Sequence, residues 1–281
     1  MAANSLPRRI VKRLIAPVLT ESTYSLFQAI ALGWDIKTGS WWEPEIELVA
    51  RVLREGDAAV DIGANYGLWA YHLSRAVGRS GKVYSFEPIP FTARTFQMIG
   101  RALGFMNNVE LVTKGCGEVA GRTEFTVPVQ DGVAISAGLV HMVGRKDARP
   151  GKEKHAAFDR TRNIECDVVR LDDYLSDVER IGLVKCDIEG ADLYAMRGAR
   201  KLLQRHKPVV IIEITPWFLE GFGLAVNDVY GFFEELGYAC YRYDEGGRLV
   251  PTPASEIVED NWVFVHPENS SRLRAILPPE G

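Results

Sequence analysis

Acidic residues that close short apolar runs are the groups in this chain whose types and spacing could do chemistry. Residues 58–67 read AAVDIGANYG, an apolar run ending in Asp61 and followed by a turn containing Gly63 and Gly67. A second run, KVYSFEP, ends in Glu87 about twenty residues later. A third, VKCDIEG, carries Asp187 and Glu189, and PVVIIEITP carries Glu213. An acid at the tip of a second strand can accept hydrogen bonds from a ribose diol. Glycines in the turn let backbone approach closely, and the helix that follows offers free N–H groups. Together they point to a nucleoside-containing cofactor.

The elements that must hold these groups can be read from hydrophobic spacing. Strands are expected at Ala58–Ile62, at Lys82–Phe86 and over residues 109–113, with a helical segment, PFTARTFQMIGRALG, between the last two. Further on come GLVKCDIEG, a helix ADLYAMRGARKLLQRH, the run PVVIIEITP and a helix NDVYGFFEELG. Two final runs, YACYRYDE and NWVFVHP, have no helix between them and read as an antiparallel pair at one edge. Such alternation predicts an α/β fold, a mostly parallel sheet with helices on both faces.

Residues 1–56 read as a helical extension ahead of a domain spanning 57–281. Within residues 7–19, Ile10, Val11, Leu14, Ile15 and Val18 share a face, with Arg8, Arg9, Lys12 and Arg13 elsewhere. Such a segment packs on the domain or a partner subunit, making a homo-oligomer, or lies on an anionic membrane surface. Pro44 is expected to open a second helix and Gly56 to close it. The regular alternation breaks at an insertion over about 128–165, between the strand-like RTEFTVPV and IECDVVRL. Its 145–162 part is basic and reads as a solvated loop or a lid for an acidic substrate.

Composition narrows the class. The chain has 281 residues and a formal net charge of −4, which gives no global bias toward nucleic acid. No apolar run reaches the roughly 18 residues of a membrane span. Its four cysteines form no CxxC pair, a pattern that suits reduced thiols and a cytoplasmic location.

The glycine loop discriminates among cofactors. Its order is Gly63-Ala64-Asn65-Tyr66-Gly67, not the GxGxxG of dinucleotide binders, and no P-loop lysine follows. Asp61 would repel a phosphate and suits a cationic group. S-adenosylmethionine, with a sulfonium, an ammonium, a ribose diol and no phosphate, fits that pattern. A nicotinamide-dependent oxidoreductase and a non-catalytic nucleoside-binding module remain as alternatives, since Glu87 suits either ribose.

DIGANYG, VYSFEP and VKCDIEGADLYAMRGA, in that order, resemble the FkbM family of S-adenosylmethionine-dependent methyltransferases. That family shows D-[IV]-G-A-N-x-G, [FY]-E-P and K-x-D-[IV]-E-G-x-E at similar spacing, and the likeness covers roughly residues 43–266. Asp192 stands where the last Glu of the third motif is usual and keeps its charge. The resemblance implies a class I, Rossmann-like methyltransferase fold with a seven-stranded sheet. It also implies O-methylation of a hydroxyl on a sugar, glycolipid or polyketide-type acceptor. Carried onto this chain, it implies cofactor contacts from Asp61, Gly63, Ala64, Asn65, Gly67, Glu87, Pro88, Gly115 and Cys116.

Methyl transfer to an alcohol also needs something to take the hydroxyl proton. Asp187 and Glu189 sit at and just past a strand end, where ligands of open α/β sheets bind, and His141 in the insertion is a rival. Asp187 and Glu213 on neighbouring strand tips could instead hold a divalent cation such as magnesium through oxygen. Glu189 has a duller alternative, an acid stabilising the N-terminus of the following helix. His72 reads as packing, and the Trp41–Trp42 pair as a hydrophobic lock or a sugar-stacking surface.

Overall fold

The computed structural model describes residues 20–130, 134–135, 141–142, 160–273 and 276–277. The basic segment at 7–19 and most of the charged loop at 145–162 lie outside the described residues. In chain order the strands are β1 (Ala58–Ile62), β2 (Lys82–Phe86), β3 (Val109–Val112), β4 (Gly115–Cys116), β5 (Gly121–Gln130), β6 (Ala134–Ile135) and β7 (His141–Met142). They continue as β8 (Arg160–Val169), β9 (Ile181–Cys186), β10 (Val209–Ile214), β11 (Ala239–Tyr243), β12 (Leu249–Pro251) and β13 (Asp260–Val265).

The main sheet runs β12-β11-β13-β10-β9-β1-β2-β3. The pairings among β3, β2, β1, β9 and β10 are parallel, and β13 enters antiparallel between β10 and β11. The two final runs therefore do pair antiparallel. The short β12 adds an eighth strand beyond the seven expected, pairing with β11 through Tyr241, Arg242 and Tyr243. β1 and β9 are buried along their whole length, because helices cover both faces.

Successive residues of each strand feed opposite cores. Ala59, Leu183, Val209 and Ile211 face one cluster, under the helices Ile46–Val52, Leu68–Val77 and Pro90–Leu103. Val60, Ile62, Val184, Cys186 and Ile212 face the other, under Asp192–Arg197, Arg200–His206 and Val226–Glu235. Tyr24, Ala29 and Ile36 of the helix Glu21–Thr38 join the first cluster, so this part of the N-terminal extension packs on the domain.

Two helix expectations need correction. The second N-terminal helix starts at Ile46 and ends at Val52, because Leu53 is already extended; Pro44 and Gly56 sit in the flanking turns. The 191–206 segment is two helices, Asp192–Arg197 and Arg200–His206. They part at Gly198, where a Cβ would overlap the backbone carbonyl of Gly117. Asp172 then caps the second helix, accepting from the N–H groups of Lys201 and Leu202 at 3.2 and 2.9 Å.

From β1 the chain builds outward through β2 and β3, then returns to the far side of β1 as β9. That reversal opens a crevice at the strand ends between β1 and β9. A second sheet leaves the chain between β3 and β9, with β5 and β8 as a long antiparallel ribbon. Val127 and Cys166 of the ribbon seat against Ile89 in a small core of their own, with Phe125 packed beside it.

Candidate active site

The loop after β1 is held from below by β2. Gly63 and Ala64 both donate to the carbonyl of Phe86 at 3.0 Å, and the turn passes through left-handed backbone at Gly63 (φ +79°), Asn65 (φ +48°) and Gly67 (φ +91°). Glycine is required at position 63, though not only for a ligand. A Cβ there would overlap the carbonyl oxygen of Asp187, so the end of β9 presses directly on this loop. Asp187 N–H in turn donates to Ile62 at 3.0 Å, tying the two strand tips together. Gly67 precedes the helix Leu68–Val77, its missing side chain leaving room for Phe96.

Two buried carboxylates lie under this loop. Glu87 accepts from Asn65 N–H and from Ile89 N–H, each at 3.0 Å. Burial still raises its pKa to about 8, against those two hydrogen bonds and with Asp61 pushing the same way as burial. Asp61 is 1% exposed, and burial lifts it to about 7; Lys185 opposes that rise, while Asp187 and Glu43 add to it. Asp61 Oδ2 and Asn65 Oδ1 are buried without a hydrogen-bond partner among the described residues. Polar atoms in that condition fit a ligand that brings its own donors.

Asp187 stands at the mouth of the crevice with a side chain 38% exposed. Behind it lies Lys185, 1% exposed, with Nζ at 3.7 Å from Asp187 Oδ2 and 2.6 Å from Asn261 Oδ1. The ammonium sits 5.3 Å from the ring centre of Trp69, whose Nε1–H donates to Glu43 at 2.7 Å. Burial works against the charge of Lys185, yet Asp187, Glu43, Glu213 and Asp192 together raise its pKa. Glu213 is pushed the other way from ionisation: burial first, then the charges of Asp187 and Glu189, raise it.

This set does not suit a divalent cation. Asp187 and Glu213 are neighbours as expected, but the positive charge beside them is already an ammonium. No group of three or more metal-ligating side chains occurs among the described residues. Glu189 occupies left-handed backbone (φ +58°) in the turn after β9. The residue that organises that turn is Asp192, buried, accepting from Ile188 N–H at 3.1 Å and Gly190 N–H at 3.0 Å. His141 lies on β7, its backbone paired opposite Thr126; its side chain is outside the described residues. His72 is packed edge-on against Trp42 and Tyr71, and burial lowers its pKa to about 4, so it stays neutral.

The crevice has two adjoining parts. A cavity of about 900 Å³ is walled by Pro88, Gly115, Cys116, Ile188 and Tyr194. A smaller one of about 160 Å³ lies over Asn65 and Glu87 and reaches Trp41, Asp187 and Glu213. Both share Gly63, Pro88, Phe125 and Ile188. The structure thus brings Gly63, Ala64, Asn65, Glu87, Pro88, Gly115 and Cys116 to one crevice, as expected. Lys185, Glu43, Trp69 and Phe125 were not singled out by sequence. Only Lys185 had a signal, as the first residue of the third motif.

Five parallel strands reversing at β1, with an antiparallel strand inserted before the last long one, define the class I methyltransferase fold. The chain belongs to the methyltransferase FkbM domain family, whose sequence profile matches residues 61–240. It is similar to Methyltransferase 1 of Beauveria bassiana (strain ARSEF 2860), 28% identical over 143 residues covering 50% of this chain and 57% of that protein. It is similar also to Protein-L-isoaspartate O-methyltransferase 2 of Archaeoglobus fulgidus, 43% identical over 60 residues, 21% of this chain and 27% of that one. Among solved structures, the FkbM methyltransferase of Methylobacillus flagellatus KT shares 19% identity, with 80% of this chain and 50% of that chain covered and a TM-score of 0.45. The chain therefore spans no more than 57% of the curated relatives described here.

Proposed function

We propose that this chain transfers the methyl group of S-adenosylmethionine to a hydroxyl on a sugar, glycolipid or polyketide-type acceptor. The observation that carries the reading is the pair of buried carboxylates, Asp61 and Glu87, on adjacent strand tips beneath one left-handed loop. Glu87, fixed by two backbone amides, is set to accept the ribose hydroxyls. Asp61, with an unpartnered oxygen, would face a cationic amine. Pro88 and Ile188 would flank the adenine end in the larger cavity, next to Gly115 and Cys116.

When bound, S-adenosylmethionine supplies an electrophilic methyl group whose transfer leaves a neutral thioether. Asp187 is the group that would take the acceptor's hydroxyl proton. Lys185 Nζ lies 3.7 Å from its Oδ2, and Glu213 lines the same small cavity. Trp41 in the smaller cavity offers an apolar face against which a sugar ring could align its oxygen in line with the methyl.

Mass spectrometry of the supernatant from denatured protein, with calorimetric titration of S-adenosylhomocysteine and NADH in parallel, tests the reading. Binding of S-adenosylhomocysteine alone is the expected result. Preference for NADH would replace it with a nicotinamide-dependent reaction. Binding without turnover on any hydroxylated acceptor would leave only a binding module.

A further inference from the structure

The helix Glu21–Thr38 uses only one face to join the domain. Ser25 Oγ and Thr95 Oγ1 are 2.7 Å apart, Tyr24 stacks on Phe91, and Gly33 lies against Ile99. The other face carries Leu26, Ile30 and Trp34, exposed by 51%, 67% and 65%. Residues four apart lie above one another on a helix, so these three form a single apolar stripe about 12 Å long. Around it stand Thr23 and Lys37, both exposed. Glu21 at the helix start reaches toward Arg94 at 3.7 Å, and Asp35 is buried. A stripe of large exposed side chains on an otherwise well-packed domain marks a surface that meets something else.

The charge of the adjoining chain says what that is. Residues 1–20 hold Arg8, Arg9, Lys12 and Arg13 and no acidic residue, in a chain whose formal net charge is −4. We propose that the Leu26, Ile30 and Trp34 stripe, together with this basic run, docks on the surface of an anionic lipid bilayer. The helix lies in the plane of the interface, with Trp34 at headgroup depth, and the positive charge of the adjoining sequence favours anionic lipid. No helix among the described residues is long and apolar enough to cross a membrane. The inference does not depend on the acceptor.

Vesicle co-sedimentation of the full chain tests it. Vesicles of phosphatidylcholine with about a third phosphatidylglycerol should pellet the protein at low salt, and pure phosphatidylcholine should not. The combined variant Leu26→Ser, Ile30→Ser, Trp34→Ser removes only exposed side chains and should lower the bound fraction at least about tenfold. Reversal of the basic run (Arg8→Glu, Arg9→Glu, Lys12→Glu, Arg13→Glu) should do the same, with circular dichroism confirming that both variants fold. A wild type that stays in the supernatant with anionic vesicles overturns the proposal, as does binding that survives either variant. A wild-type dimer that the stripe variant turns into a monomer, with no vesicle binding, would make the face an interface between copies.

Discussion

Glu87 shows how one side chain can serve both loop and ligand. Its two oxygens already satisfy Asn65 N–H and Ile89 N–H, and each retains a lone pair for a ribose hydroxyl. Glu87→Gln keeps the shape but puts an amide NH₂ where an oxygen accepted, and should weaken S-adenosylmethionine binding by about 1–3 kcal/mol in calorimetry. Unchanged affinity would remove Glu87 from the site. Asp61 adds a proton linkage. In the ligand-free protein its folded pKa is about 7, and a cationic ligand beside it favours the ionised form. Binding should therefore release protons, and affinity should climb as pH rises toward about 8, the value for Glu87. Calorimetry in two buffers of different ionisation enthalpy reads the released protons directly; identical heats would count against a cationic ligand at Asp61. For the chemical step, Asp187→Asn should lower turnover by roughly 10²–10⁴ with cofactor affinity nearly constant. Near-normal turnover on the true acceptor would pass the role to another group.

At the scale of elements, the loop after β1 and the turn after β9 form one unit. Gly63 lacks a side chain because the carbonyl of Asp187 occupies the space, so a substitution there disturbs the proton acceptor as well as the cofactor loop. Gly63→Val should thus lower the melting temperature along with cofactor affinity, and a variant as stable as the wild type would contradict this contact. Gly198 makes the corresponding contact on the other face. Its Cβ would overlap the carbonyl of Gly117, beside the Gly115–Cys116 strand that lines the larger cavity. Gly198→Ala must push these backbones apart, at a cost of about 1–3 kcal/mol, measurable as a shift in the urea midpoint. Cofactor affinity should fall with it.

Over the whole molecule, the buried acids make stability depend on pH. Asp61 and Glu87 are raised to about 7 and about 8, well above the ordinary carboxylate range, and Glu213 is raised as well. A raised acid contributes stability while both states are protonated and loses it as pH climbs through the folded value. His72, neutral in the fold down to about 4, acts in the opposite direction, but only below the ordinary histidine pKa of about 6.5. The ligand-free protein should therefore lose melting temperature steadily between about pH 6.5 and 8. Saturating S-adenosylhomocysteine should oppose the loss. A flat calorimetric profile over that range would mean that these carboxylates are already ionised in the fold.

Much of the site could be read in the sequence because its groups lie at strand ends that hydrophobic patterning marks. Apolar runs at 58–62, 82–86 and 181–186 locate Asp61, Glu87 and Asp187, each within one residue of a strand's carboxyl end, where open parallel sheets bind their ligands. The glycine order of 63–67 discriminated among cofactors for the same local reason. Contacts between distant segments were not legible. Nothing near Lys185 announces Asn261 or Trp69, because those partners arrive from another strand and another helix. The clash that demands glycine at 63 comes from residue 187, and the break at Gly198 comes from residue 117. The metal reading meets the same limit: two carboxylates at the right spacing suggest a cation, and only folding puts a lysine ammonium 3.7 Å from one of them. Local periodicity determines which residues reach the crevice. What each meets there, and hence its charge, is decided by chain segments that only tertiary packing brings together.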